Sequence, residues 1–363
     1  MRIFAIETSC DETGLALVAA TGGLAAPKFK VLKSVVNSQI AAHRPFGGVV
    51  PNIAKREHLK NLPLALAELG MSERDFTNVD LIAVTSGPGL EPALWAGITF
   101  ARELAKKYKK PITGVNHLEG HLYSFLLAKE TGSSNYQIPN TKSLFPAIGL
   151  IVSGGHTTLL RLKDMRTRKK LGETRDDAVG EAFDKVARIL GLPYPGGPEV
   201  ERVAAKGNPK AIAFPRPMIK DKSYDFSYSG LKTAVLYYVK GLGYSHSGLE
   251  STGGRKNLNL IPKTLLADIA ASFQAAALEP LVAKTMRAVE EFSARSVFLS
   301  GGVAANKPLR KLLETAAKKR GAKLYVADFK HNTDNAVMIA VGGYINFLRG
   351  KRLPLVAKGN MNV

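Results

Sequence analysis

Two histidines stand four residues apart in the segment NHLEGH, where His117 and His121 have the spacing of a metal-binding pair. Apolar periodicity predicts a helix over 117–129, and residues four apart on a helix share one face. Two imidazoles one turn apart can bind a single metal ion. The same spacing fits two histidines that are only packed or hydrogen-bonded, so spacing alone leaves both interpretations open.

The glutamate between these histidines does not occupy the metalloprotease position. In the H-E-x-x-H motif the glutamate directly follows the first histidine, whereas Glu119 is third, and the helix turns it away from both imidazoles. A third metal ligand must come from elsewhere in the chain. Asp334, just before the last predicted helix, is a candidate, although by position it is only one of 30 acidic residues.

Four glycine turns are candidate anion sites, because glycine lets backbone N–H groups approach a phosphate without a Cβ in the way. Each is also compatible with a simple chain reversal, but together they favour a phosphate-bearing ligand. Neither a Walker A loop nor a G-x-G-x-x-G fingerprint is present, so an ATP-like ligand would lie between hairpin turns. The four turns are Ser86-Gly87-Pro88-Gly89, Ser153-Gly154-Gly155, Pro195-Gly196-Gly197 and Ser300-Gly301-Gly302.

Acidic residues form two groups with two possible roles. They can stabilise a helix dipole from the first turn of the helix, or they can face a Mg²⁺-nucleotide or a ribose hydroxyl. Asp11 and Glu12 lie in the first predicted turn, and Asp176, Asp177, Glu181 and Asp184 begin a helix predicted over 176–190.

The elements that position these residues form a repeated pattern. A strand, a polar turn and a second strand are predicted over 2–19 and again over 146–162, which indicates a duplicated fold. The order of strands and helices favours an α/β sheet covered by helices. Further helices are predicted at 53–70, 92–107, 263–293 and 335–348, and further strands at 79–89, 111–115, 296–300 and 324–328.

Length and charge narrow the class of protein. A chain of 363 residues exceeds one compact core, so two domains are expected. With 51 Lys and Arg against 30 Asp and Glu, the net charge of +21 indicates a nucleic-acid partner or a generally lysine-rich proteome.

The single cysteine, Cys10, excludes an internal disulfide and suits a reducing compartment. Without a membrane-length apolar run or a signal peptide, we expect a cytoplasmic protein that does not enter a membrane.

Nine collinear segments resemble the catalytic subunit of tRNA N6-adenosine threonylcarbamoyltransferases, a family once described as O-sialoglycoprotein endopeptidases. The match spans the chain outside 240–262, and its opening resembles the bacterial and organellar branch. The segments are IETSCDETGLALV (6–18), FGGVVPNIAKREHL (46–59), GPGLEPALWAG (87–97), NHLEGH (116–121), IVSGGHTTL (151–159), DDAVGEAFDKVARILGLPYPGGP (176–198), DFSYSGLKT (225–233), SGGVAANKPLR (300–310) and TDNAVMIA (333–340).

The resemblance implies a fold and a division into domains. The fold is α/β, with two duplicated RNase H-like domains of the actin-like and hsp70-like ATPase type and a ligand cleft between them. The implied domains are 1–140 and 141–335, and a last helix at 335–350 returns to the first domain. Residues 241–262 are expected to form an exposed insertion loop.

The resemblance also implies the site residues and ligands. His117, His121 and Asp334 match metal ligands for one divalent ion, Fe²⁺ or Zn²⁺. The adenylate ligand would be threonylcarbamoyl-AMP, or ATP or ADP with Mg²⁺. Substrate-binding positions are Ile151, Val152, Ser153, Gly154, Gly155, Asp184, Gly197 and Asn306, and the catalytic candidates are Asp11 and Glu12.

The implied reaction moves threonylcarbamoyl from threonylcarbamoyl-AMP to N6 of adenosine 37 in tRNAs that read codons beginning with A, forming t6A. Implied partners are the tRNA anticodon loop, a non-catalytic paralogue and a small ATPase, or a second copy of the chain. The alternatives are a metalloprotease, an actin-like small-molecule kinase and a non-catalytic paralogue. Such paralogues lose the metal histidines, which this chain keeps.

Overall fold

The computed structural model describes residues 1–128, 136–137, 140–244 and 261–363 of the chain. Most of the insertion loop predicted at 241–262 lies outside these residues, and it stays a prediction.

The first half of the chain forms a six-stranded sheet in the order β5-β4-β1-β2-β3-β6. Its strands are β1 (Arg2–Glu7), β2 (Glu12–Thr21), β3 (Lys28–Ser38), β4 (Leu81–Gly87), β5 (Ile112–Asn116) and β6 (Tyr136–Gln137). The helices of this half are α1 (Ile40–His43), α2 (Pro51–Leu69), α3 (Glu73–Thr77), α4 (Glu91–Tyr108) and α5 (His117–Tyr123).

The second half forms a five-stranded sheet in the order β11-β10-β7-β8-β9. Its strands are β7 (Ala147–Val152), β8 (Thr157–Leu162), β9 (Arg168–Glu173), β10 (Ser296–Ser300) and β11 (Lys323–Val326). The helices are α6 (Val179–Ile189), α7 (Gly196–Ala204), α8 (Ser229–Gly241), α9 (Lys263–Glu291), α10 (Lys307–Lys318) and α11 (Ala336–Leu348).

The two sheets have the same topology. β1 is antiparallel to β2 and parallel to β4, and β7 is likewise antiparallel to β8 and parallel to β10. β3 is antiparallel to β2 and β5 is parallel to β4, and in the second sheet β9 and β11 pair in the same way with β8 and β10. The two-residue β6 extends the first sheet beyond β3 and has no counterpart in the second among the described residues. The predicted duplication is therefore confirmed strand by strand, and both hairpins lie where the apolar patterns put them.

The central strands are apolar on both faces because helices cover both sides of each sheet. Every residue of β4, β7 and β10 is buried. α9 is long and apolar enough to span a membrane, but 67% of its most apolar window is buried among the described residues. Its apolar surface is therefore part of the second half's core.

Two helix predictions need correction. The helix predicted over 117–129 ends at Tyr123, and Ser124–Leu127 tighten into a 3₁₀ turn, a frequent ending for α-helices. The helix predicted over 176–190 begins only at Val179. Asp176 precedes it because its carboxylate accepts the N–H groups of Tyr228 and Ser229, at 2.7 and 3.2 Å, at the start of α8.

The last helix, α11, returns to the first sheet and packs on β1, β2 and α5. One apolar cluster contains residues of both sheets, with α5 and α11 among them. Glycines permit the close crossing of these two helices. A Cβ on Gly342 of α11 would lie 3.6 Å from the Cα of Gly120 in α5 and 2.9 Å from Cγ1 of Val115.

We predict that Gly342→Ala lowers stability although it improves helix propensity. Alanine favours a helix interior by about 1 kcal/mol over glycine. At this crossing, however, the added methyl must displace Val115 or α5, and overpacking costs about 1–3 kcal/mol. Thermal unfolding should show a lower melting temperature.

Gly230→Ala is the matched control, because Gly230 lies in α8 and a Cβ there meets nothing within 4 Å. It should leave the melting temperature equal or higher. Equal stabilisation by both substitutions would mean that α5 and α11 do not cross closely.

Candidate metal and ligand site

Three side chains converge where α5 meets the residues before α11. His121 Nε2 lies 3.0 Å from Oδ1 of Asp334, and His117 Nε2 lies 3.5 Å from the same oxygen. The imidazoles are perpendicular, with centroids 4.6 Å apart. All three ligand atoms lie within 4.8 Å of one another. The helical spacing of the histidines is thus realised, and Asp334 joins them from 213 residues away.

The first strand orients His117. Glu7, the last residue of β1, has no exposed side chain, and its Oε2 lies 3.1 Å from Nδ1 of His117. That oxygen also accepts from Thr85 at 2.8 Å, while Oε1 accepts from the backbone N–H of Ser9 at 2.6 Å. A carboxylate on Nδ1 leaves Nε2 facing Asp334, which is how ligand histidines are commonly held.

The charges around these residues favour a bound cation. Burial opposes a charge on His117, but the carboxylates of Asp334 and Glu7 raise its pKa to about 9. Burial lowers the pKa of His121. Burial would also raise the pKa of Asp334, but the charge of His117 and the hydrogen bond from His121 hold that pKa below its usual value.

The donor set fits a divalent transition metal. Two imidazole nitrogens and one carboxylate oxygen are typical ligands of zinc and of non-haem iron, and three protein ligands leave positions open for a substrate. Nδ1 of His121 is buried without a hydrogen-bond partner among the described residues. Ligand type does not distinguish Fe²⁺ from Zn²⁺ here.

Glu119 plays no part in this donor set. Its side chain is fully buried on the far side of α5, where it contacts Arg168. Nζ of Lys351 and Nδ2 of Asn346 also donate to it, at 2.8 and 2.9 Å. Burial alone would raise the pKa of Glu119, but Arg168 and Lys351 keep it lowered. A glutamate held this way cannot act as the base of a metalloprotease.

Other segments of the same chain cover the turn after β1. Ser9 and Asp11 are buried, and Nε2 of His58 lies 2.9 Å from the Cys10 carbonyl. Glu12 begins β2, where burial and the charges of Asp11 and Asp334 raise its pKa well above the usual value. The charge of Asp334 therefore reaches Glu12, one of the two predicted catalytic residues.

The turn after β7 is open instead. Gly154 and Gly155 are exposed, and a Cβ on either would meet nothing within 4 Å. Ser153 braces the turn, since its Oγ accepts the N–H of His156 at 3.1 Å. The side chains of Ile151 and Val152 are buried in two different cores, so only their backbone can reach a ligand.

The remaining predicted ligand positions, Asp184, Gly197 and Asn306, differ in whether they are free to contact a ligand. Asp184 in α6 accepts the N–H of Gly196 at 2.7 Å. Burial raises its pKa to about 6, opposed by the N–H groups of Gly196 and Gly197 and assisted by Asp11. Gly197 has open space where a Cβ would be. Asn306 uses its amide internally, because it caps α10 at Leu309 and donates to Gln274 at 3.0 Å.

One of the four predicted glycine turns is not available to a ligand. A Cβ on Gly87 would lie 2.1 Å from the Lys358 carbonyl, and the N–H of Gly89 already donates to Gly359. The C-terminal segment therefore covers the turn after β4. Gly302, after the equivalent strand β10, meets nothing within 4 Å.

Sequence reasoning missed three polar residues of the site. Glu7 and Ser9 bracket the end of β1, and His156 follows the open turn after β7. Burial, with the charges of His117 and His121, lowers the pKa of His156 to about 4. A polar residue directly after an apolar strand was the available signal, because strand ends are where α/β sheets hold ligands.

The sequence matches a known family model over residues 30–341, described as TsaD, tRNA N6-adenosine threonylcarbamoyltransferase. Curated proteins of that name are similar over nearly the whole chain. One from Moorella thermoacetica is 46% identical and covers 98% of this chain and 94% of its own length. Others, from Thermosipho melanesiensis and Burkholderia mallei, are 45% and 44% identical, covering 100% and 96% of this chain and 100% and 93% of their own lengths.

Solved structures of distant proteins share the fold. HypF of T. kodakarensis is 14% identical, with a TM-score of 0.55, over 96% of this chain and 48% of its own. The activator of 2-hydroxyisocaproyl-CoA dehydratase from Clostridium difficile, with bound ADPNP, is 10% identical at a TM-score of 0.50, over 96% and 95%. Together with the repeated topology, these likenesses show a fold of two duplicated α/β domains.

We predict that Glu119→Gln destabilises the chain by about 2–3 kcal/mol. The amide leaves Arg168 and Lys351 without their shared counter-charge, and Lys351 is partly exposed, which moderates the loss. Chemical denaturation with a spectroscopic readout measures the change.

Glu173→Gln serves as the control, since Glu173 forms an exposed pair with Lys170 and should change stability by less than about 1 kcal/mol. Equal effects of the two substitutions would show that the charge of Glu119 does not hold α5.

Proposed function

The chain belongs to the tRNA N6-adenosine threonylcarbamoyltransferase family and transfers a threonylcarbamoyl group to N6 of an adenosine in tRNA; we propose that it does so at His117, His121 and Asp334. The convergence of these three side chains next to the open turn after β7 carries the proposal. The target is adenosine 37 of tRNAs that read codons beginning with A, and the product is t6A.

The donor in this proposal is threonylcarbamoyl-AMP. N6 attacks the carbamoyl carbonyl, the bond to the AMP phosphate breaks, and N6 loses one proton. The exocyclic amine is a poor nucleophile because its lone pair is delocalised into the ring. A mixed anhydride compensates for this, since AMP is a good leaving group.

The open glycine turns would hold the adenylate. Gly154 and Gly155 leave space for phosphate oxygens beside backbone N–H groups, and Gly197 leaves space near Asp184. Asp184 would accept a ribose hydroxyl. Because the Asn306 side chain is bonded within the protein, its backbone rather than its amide would face the ligand.

Residues of the first half would hold and orient the reacting groups. Glu7 and Ser9 keep His117 in one orientation. His117, His121 and Asp334 would bind Fe²⁺ or Zn²⁺, which would supply a Lewis acid for the carbamoyl oxygen. Asp11 and Glu12, beside them, would receive the proton that N6 loses.

The acceptor and partners follow from charge and resemblance. A net charge of +21 suits binding of a tRNA backbone, and a single-stranded anticodon loop can present an unstacked base. Resemblance to the bacterial branch supports a complex with a non-catalytic paralogue and a small ATPase in the cytoplasm. A homodimer is the organellar counterpart, and the mass of the purified complex in solution would distinguish them.

We predict that His117→Ala and Asp334→Ala each reduce transfer by on the order of a hundredfold or more, because a two-ligand site holds its ion weakly. Metal content after anaerobic purification, measured by mass spectrometry, should fall in parallel and would also identify the ion.

Glu314→Gln, an exposed position on α10, is the control and should keep both metal and activity. Wild-type transfer by His117→Ala with unchanged metal content would remove these residues from the site.

We predict that Gly154→Val raises the KM for threonylcarbamoyl-AMP by roughly tenfold without lowering the melting temperature. The side chain enters open space, so the fold tolerates it, but it occupies the proposed phosphate position. Transfer assays with preformed donor give KM and kcat separately.

Gly23→Val is the matched control, because Gly23 also has open space around its Cβ position but lies after β2, outside the site. An unchanged KM in Gly154→Val would place the adenylate elsewhere.

A further inference from the structure

A second cavity, independent of the transfer site, lies at the far end of the second sheet's hairpin. It has a volume of about 610 Å³ and is bordered by the segment after β2, the segment before β7 and the turn between β8 and β9. That volume falls within the usual range of small-molecule sites. β8 runs from the open glycine turn to this cavity, and its six residues span roughly 17 Å at about 3.3 Å each.

The walls of this cavity are apolar. Leu24, Phe145 and Met165 line it, and the latter two are buried. Thr141 turns its hydroxyl to the Leu24 carbonyl at 2.8 Å rather than into the space. An occupant must therefore offer an apolar or aromatic body to these walls.

Four cationic side chains surround the same space, and they face only one carboxylate among its described lining residues. That carboxylate, Asp164, accepts the backbone N–H groups of Arg166 and Thr167, both at 2.7 Å. None of the ion pairs among the described residues involves the four cations, which are Lys142, Arg161, Lys163 and Arg166.

One of these cations also has an unused donor. Nε of Arg161 is buried and has no hydrogen-bond partner among the described residues. Its guanidinium lies 4.6 Å from the ring centre of Phe292, which fixes the side chain in place. Phe292 is not among the residues that line the cavity, so Arg161 contributes positive charge at its border while its guanidinium packs on that ring.

We propose that this cavity binds a small organic anion, with one phosphate, sulfonate or carboxylate group on an apolar or aromatic body. The body would lie on Phe145 and Met165, and the anionic group would face Lys142 and the Lys163–Arg166 turn. The same turn is hydrogen-bonded to the helix that carries His117 and His121, because Tyr123 at the end of α5 donates its hydroxyl to the Met165 carbonyl at 3.3 Å.

Fluorescence titration of the full chain tests this with a pair of matched probes. 8-Anilinonaphthalene-1-sulfonate carries an aromatic body and one anionic group, and N-phenyl-1-naphthylamine has a similar body without charge. Lys163→Gln/Arg166→Gln should weaken binding of the anionic probe by about fivefold and leave the neutral probe unchanged. Lys318→Gln/Lys319→Gln, at the C-terminal end of α10, is the charge-matched control and should change neither affinity.

A filling variant separates this cavity from the transfer site. Ala25→Phe places a ring in the cavity and should abolish binding of both probes while leaving thermal stability unchanged. Excess AMP should leave the anionic probe bound. Unchanged anionic-probe affinity in the double variant or in Ala25→Phe would overturn the proposal, as would displacement of that probe by AMP. Displacement by tRNA would instead assign the cavity to a nucleic-acid contact.

Discussion

A buried carboxylate fixes the short helix that carries His117 and His121, on which the proposed chemistry depends. Glu119 is fully buried, and an unpaired charge in such a place would cost several kcal/mol. Its partners come from both halves of the molecule, since Arg168 begins β9 of the second sheet and Lys351 follows α11 on the first. The charge is therefore satisfied only when both sheets meet at α5. His117 and His121, on the opposite face, are then directed toward the residues that precede α11.

The ends of the chain complete this support. Asn116 caps α5 by accepting the N–H of Glu119, and its Nδ2 donates to the Asn362 carbonyl at 3.0 Å. Glu7, near the N-terminus, holds Nδ1 of His117 from the other side. The helix has only seven residues, too few to be stable by itself, so its position is set by these tertiary contacts.

The sequence predicted those features of the fold and the site that depend on residues close together in the chain. The helical spacing of His117 and His121, the two hairpins and the duplicated order of strands follow from apolar periodicity. Asp334 could not be found that way, because its approach depends on α11 returning to the first sheet, and only the family resemblance identified it. The hydrogen bonds of Asp176 at the start of α8 were not predicted either, because its partners, Tyr228 and Ser229, lie more than 50 residues away in the sequence.

The two duplicated halves differ in the turns that follow equivalent strands, which are filled in the first half and open in the second. After β1 and β4 the glycine and polar turns are filled by the protein itself, with Lys358 against Gly87 and Ser9 against Gly89. After β7 and β10 the equivalent turns leave Gly155 and Gly302 facing open space. A glycine therefore marks a ligand turn only where no other segment of the chain approaches it, which sequence does not show. The filled turn after β1 places Ser9 against His117, and the open turns leave room for the proposed adenylate.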